Sequence, residues 1–167
     1  MAKKQSYTEW YKANFHNGIG INGFLDENNK PEEYAIPILR RLYLGLDRFI
    51  EAQEEKDAYQ TVLKDIKEGK KKIHWLWFIF PNCAISECTP TTQYYTIANY
   101  QELKDFINHP ILFKRLVEVT EAVYNNEKSV YETFGNDAIK IRNCMKLFES
   151  ASEHPIFKKM ISKYCWI

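Results

Sequence analysis

Eight consecutive residues, His74-Trp75-Leu76-Trp77-Phe78-Ile79-Phe80-Pro81, constrain this chain more than any other stretch. They hold two of its four tryptophans and follow the basic run Lys70-Lys71-Lys72. A spanning helix needs roughly 20 apolar residues, so the stretch is too short to cross a membrane. A segment this apolar is either buried in a core or lines a pocket that takes a flat ligand.

The rest of the chain supplies helices to bury it. From about Glu55 to Glu68, Tyr59, Val62, Leu63 and Ile66 recur at i, i+3, i+4 and i+7, which predicts an amphipathic helix closed by Gly69. A segment beginning at Asp47 places Phe49, Ile50 and Gln53 on one face. Downstream, Thr89 is expected to cap a short helix holding Tyr94, Tyr95 and Ile97, and Asn99 another over Tyr100–Ile107. Pro110 is expected to start a helix with Ile111, Leu112, Leu116, Val119 and Val123 on its apolar stripe. Ser129 caps a short segment ending at Gly135, and Asp137 caps a helix carrying Ala138, Ile141, Cys144, Met145 and Phe148. Pro155 opens a last helix with Phe157, Met160 and Ile161. Upstream, Pro31-Glu32-Glu33 reads as another helix start, interrupted by Pro37. The fold class expected is mainly α: a compact, single-domain, bundle-like helical fold with at most a short hairpin. Residues 1–45 form an N-terminal extension packing on a helical core of residues 46–167.

A length of 167 residues and 45% apolar composition suffice for one core without disulfide or metal staples. The balance of 23 basic against 22 acidic residues argues against a general nucleic-acid binder and leaves local basic patches open. The start, Met-Ala-Lys-Lys-Gln-Ser, has no apolar segment of a signal peptide, and the four cysteines are irregularly spaced. Free thiols and a soluble, cytoplasmic protein are expected, with no membrane partner and an oligomeric state left open.

Gly18-Ile19-Gly20-Ile21-Asn22-Gly23 matches the dinucleotide-binding spacing G-x-G-x-x-G, but neither a strand before it nor a helix after it is present. It reads as a turn. No cofactor is expected. Cys83 and Cys88, with His74 upstream, lack a second ligand pair at zinc spacing, so no metal is expected either. Three constellations are candidates for chemistry. His74 either bonds to backbone in the core or orients a ligand and shuttles a proton, with Trp75 or Trp77 stacking on a base or sugar. Lys140, Asn143 and Lys146 share a helix side flanked by Arg142, and form either a solvated face or a phosphate site. Glu51, beside Arg48 and Gln53, would act as an acid or base if buried against the aromatics.

Asp47-Arg48-Phe49 with Ala52-Gln53, then Tyr59, Leu63, Ile66, Gly69 and the His74–Pro81 stretch, resembles the family called domain of unknown function 1810. The likeness continues through Pro90, Tyr95, Ile97, His109-Pro110 and Arg115-Leu116 to Phe134-Gly135, Asp137, Lys140, Arg142 and Leu147-Phe148. It spans about Leu46 to Tyr164. The family implies a compact helical fold and no established activity. This chain departs from its pattern at Ile73, Asn82, Asn143, Cys144 and Lys146, where Ser, Gln or hydroxyl residues are usual. The layout is also remotely similar to the NADAR family, whose members act as N-glycosidases on ADP-ribose-linked substrates. That likeness implies a small-molecule, nucleotide-derived partner in an aromatic and basic pocket, sequestered or hydrolysed at its N-glycosidic bond. Glu51 and His74 would be catalytic. Gln53, Trp75, Trp77, Asn82, Lys140, Arg142, Asn143 and Lys146 would bind the ligand. The alternative expectation is a non-catalytic interaction domain working through its N-terminal extension.

Overall fold

The computed structural model describes residues 44–70, 76–83 and 94–167, and over these the protein is mainly α, with no strand among the described residues. The expected helix from Pro31, the Gly18–Gly23 turn and the N-terminal extension up to residue 43 lie outside them, as does the expected cap at Thr89.

Helix α1 (Asp47–Glu54) carries Asp47 in its first turn, where a carboxylate suits the positive helix end, and buries Arg48, Phe49, Ala52 and Gln53. The amphipathic segment after it begins later than the periodicity suggests. Glu55–Asp57 is a 3-10 turn in which Lys56 (φ 51°) and Asp57 (φ 55°) both take left-handed conformations, so α2 runs Ala58–Lys67. Its end is as expected. Gly69 (φ 66°) donates to the Ile66 carbonyl and Lys70 to that of Asp65, both at 2.9 Å, the paired bonds of a glycine-terminated helix.

The aromatic stretch enters as a short helix, α3 (Leu76–Ile79). Ile97 is not inside a helix as expected: it forms an isolated parallel bridge with Cys83, and its N–H donates to the Asn82 carbonyl at 2.7 Å. Helix α4 (Tyr100–Asn108) is capped by Asn99, whose side chain accepts from Glu102 N at 2.9 Å. Helix α5 (Leu112–Asn125) starts after Pro110 rather than at it. His109 Nδ1 accepts from the Ile111 and Leu112 amides, each at 3.2 Å, and Ile111 is exposed instead of joining the stripe. Helix α6 (Val130–Phe134) has a reciprocal Ser129–Glu132 capping box. The backbone bond from Ser129, then its side chain, holds the Glu132 carboxyl below its ordinary value.

Helix α7 (Ala138–Glu149) buries Ala138, Ile141, Cys144, Met145 and Phe148, the stripe expected. Asp137 does not cap it with its side chain, because its own backbone is already helical there. Helix α8 (Pro155–Lys163) has Pro155 in its first turn and His154 as cap. A row of phenylalanines crosses the core: Phe49 meets Phe106 at 5.4 Å, Phe106 meets Phe148 at 5.2 Å, and Phe148 stacks on Phe157 at 5.7 Å. One ring from each of α1, α4, α7 and α8 thus ties these four helices together across the core.

Candidate functional site

Four apolar residues in a row cannot all face one side of a single helical turn, and α3 divides its residues accordingly. Leu76 and Ile79 go into the core with Phe80, while Trp77 stays half-buried on the wall of a cavity of about 180 Å³. Leu76, Phe80 and Tyr95 give that cavity its other apolar surfaces, and Asn82, Cys83, Thr96, Lys140 and Asn143 supply the polar ones. Three stretches far apart in sequence meet here, and specific bonds hold each in place.

Asn82 joins the aromatic segment to α7. Its amide nitrogen donates to the Phe80 carbonyl and to the Lys140 carbonyl, both at 3.2 Å. The Cys83–Ile97 bridge fixes the segment that supplies Tyr95 and Thr96. That segment is held from below by Arg48, which is 1% exposed. Arg48 Nε donates to the Tyr94 carbonyl at 2.7 Å and Nη2 to that of Thr96 at 2.8 Å. Nη1 donates to the Gly45 carbonyl at 2.6 Å, and both Nη atoms reach Glu102, at 3.2 and 2.5 Å. All five N–H groups of the guanidinium are therefore used, which is what allows a cation to be buried there.

Lys140 stands at the cavity with its Nζ 5.7 Å from the centre of the Trp77 ring. It also pairs with Asp137 at 3.0 Å, but both side chains are solvent-accessible, so the pair is weak and leaves the cation available. Asn143 is exposed, and among the described residues nothing bonds its amide. An aromatic ring, a cation over it and two amides in the lining suit a planar ring with an anionic substituent.

The structure thus brings together Trp77, Asn82, Lys140 and Asn143 of the expected ligand-binding residues. The other described members of that set sit elsewhere. Gln53 is buried but does not line the cavity: its Nε2 donates to the Phe78 carbonyl at 2.8 Å and its Oε1 accepts from Arg115 at 3.2 Å, so it ties α3 to α1 and α5. Glu51 is exposed on α1 and does not line the cavity, so the burial on which an acid or base role depended is not met. Arg142 is half-buried and Lys146 exposed, and neither lines it. His74 and Trp75 lie outside the described residues.

Sequence reasoning did not single out Cys83, Tyr95 and Thr96 for the wall. The signal was weak, because the segment holding Tyr95 reads as helix whereas its register is set by one long-range bridge. Cys144 is fully enclosed, and burial pushes its thiol well above the usual range. Among the described residues no three His, Cys, Asp or Glu side chains are grouped to hold a metal ion, and no helix is long and apolar enough to cross a membrane.

Fold and cavity define a mainly α protein with an aromatic, cation-rimmed cleft between its short third helix and α7. A family model described as "Protein of unknown function (DUF1810)" matches residues 43–166, and the chain belongs to that family. Among solved structures it is similar to the crystal structure of the conserved hypothetical protein Rv1873 from Mycobacterium tuberculosis. The two are 31% identical with a TM-score of 0.69, over 73% of this chain and 89% of that one. No curated protein matches the chain.

Proposed function

We propose that the protein binds a nucleotide-derived small molecule, of the ADP-ribose kind, in the cavity walled by Trp77. The observation that carries this reading is the placement of Lys140 Nζ 5.7 Å from the Trp77 ring centre on a largely apolar cavity. A base stacks on an indole face, and the adjoining ammonium is a point charge for a phosphate. At about 180 Å³ the cavity is smaller than the roughly 300–1,000 Å³ of sites that enclose a drug-sized ligand. It therefore takes the ring end of such a molecule and leaves the phosphates outside, toward Lys140.

The function proposed is binding and retention, in the cytoplasm, rather than bond cleavage. Glu51 is exposed, and among the described residues no carboxylate lines the cavity. Thermal-shift titration with AMP, ADP-ribose and NAD tests the reading. A ligand at about 100-fold its Kd adds about 2.7 kcal/mol to stability. A rise in Tm with at least one of the three, reduced in Trp77→Ala and Lys140→Ala, is expected. No rise with any of them, or one unchanged in both variants, rules it out.

A further inference from the structure

The cavity offers its ligand two amides, and they are not equivalent. Asn143 is exposed and unbonded among the described residues, so it turns to present either its oxygen or its nitrogen. Asn82 has no such freedom. The two groups within reach of its amide nitrogen, at 3.2 Å each, are the backbone carbonyls of Phe80 and Lys140. Carbonyls only accept, so the nitrogen faces them and both of its N–H groups are spent. A flip would set the amide oxygen against two carbonyl oxygens and forfeit both bonds. What Asn82 retains is Oδ1, which no donor among the described residues satisfies.

Resting on the binding reading above, we propose that Asn82 is a specificity-determining residue. It presents a fixed hydrogen-bond acceptor, so the cavity selects planar rings that carry an exocyclic N–H donor, such as an amino-purine or a ring carboxamide. Rings that carry a carbonyl or carboxylate in that position are rejected. The acceptor is locked by α7 itself, since one of the carbonyls holding it belongs to Lys140, the residue that also provides the cation. Ring selection and charge recognition therefore share one anchor. An acceptor in the ligand would meet Oδ1 with lone pairs opposed, whereas a donor gains a bond. Sites built to pair a ligand's N–H discriminate strongly against the analogue lacking it.

Isothermal titration of the native protein with two matched pairs decides the question. AMP and IMP differ in an amino donor against a keto acceptor, and nicotinamide mononucleotide and nicotinic acid mononucleotide differ in a carboxamide against a carboxylate. The donor-bearing member is expected to bind about tenfold more tightly within a pair that binds. Equal affinity, or preference for the acceptor-bearing member, overturns the role of Asn82 while leaving ligand binding in place. Failure of all four to bind overturns the role of Asn82, and the binding reading falls with it only when ADP-ribose and NAD also fail to bind. In Asn82→Ala, once its folding is confirmed by circular dichroism, the preference should fall below about twofold. A preference that survives in the folded variant also overturns the role. Should that variant not fold, the matched pairs on the native protein still decide.

Discussion

Arg48 shows what a single residue can impose on this architecture. The guanidinium lies 48 residues from Thr96 and 54 from Glu102, and it joins α1 to the segment that walls the cavity. Its position on a helix was legible in the sequence, but its partners were not, because no local pattern connects residues so far apart. Glu102 accepts from Arg48 and from the Ala98 amide at 3.0 Å, so it holds the same segment from both ends. Removing one partner of a buried ion pair leaves the other charge unmatched, at a cost of about 3–5 kcal/mol. Glu102 is 17% exposed, which places the expected loss for Glu102→Ala near the lower bound, about 3 kcal/mol by urea denaturation. A loss below about 1 kcal/mol would show that Arg48 finds other partners or water. Asn82 is the second instance, a residue whose role follows from the two carbonyls it must face and not from its type.

At the scale of elements, sequence and structure agree where helix periodicity and caps coincide. The stripe of α7, the glycine end of α2 and the Ser129 cap of α6 were all readable, because each depends on residues within one or two turns. Disagreement falls where an element boundary is set by distant or unusual geometry. Lys56 and Asp57 in left-handed conformations delay α2, and the imidazole of His109 moves the start of α5 past its proline. Helix α2 is tied to α5 by Tyr59, whose hydroxyl donates to Glu118 at 2.8 Å. Burial first, and then the Glu118 carboxylate, raise the phenol above its ordinary value of 10. The folded-state value exceeds the unfolded one, so this contribution to stability is complete below pH 10 and is lost as pH rises through the folded value. Urea midpoints should therefore fall as pH rises above about 10, and fall less in Tyr59→Phe. Equal falls in the two proteins would mean that Tyr59 does not carry the link.

For the whole molecule, the fold class was legible from helix periodicity, whereas the site was legible only in part. Trp77 and Lys140 drew attention through aromatic density and helix-face spacing, and the structure sets them side by side on one cavity. Glu51 and Lys146 drew attention by the same local reasoning and do not line it, because facing a cavity depends on how α1 and α7 are rotated against their neighbours. Gln53 shows the limit most clearly, as a buried amide at a promising place that serves to tie three helices together. The central claim is that a nucleotide-derived ligand occupies the Trp77 cavity. Chemical-shift mapping on the 15N-labelled protein during titration with ADP-ribose tests it most directly. The account predicts saturable shifts centred on the Trp77 indole, the side-chain amides of Asn82 and Asn143, and the backbone around Lys140. Shifts centred on another face of the molecule, or none at saturating ligand, would contradict it.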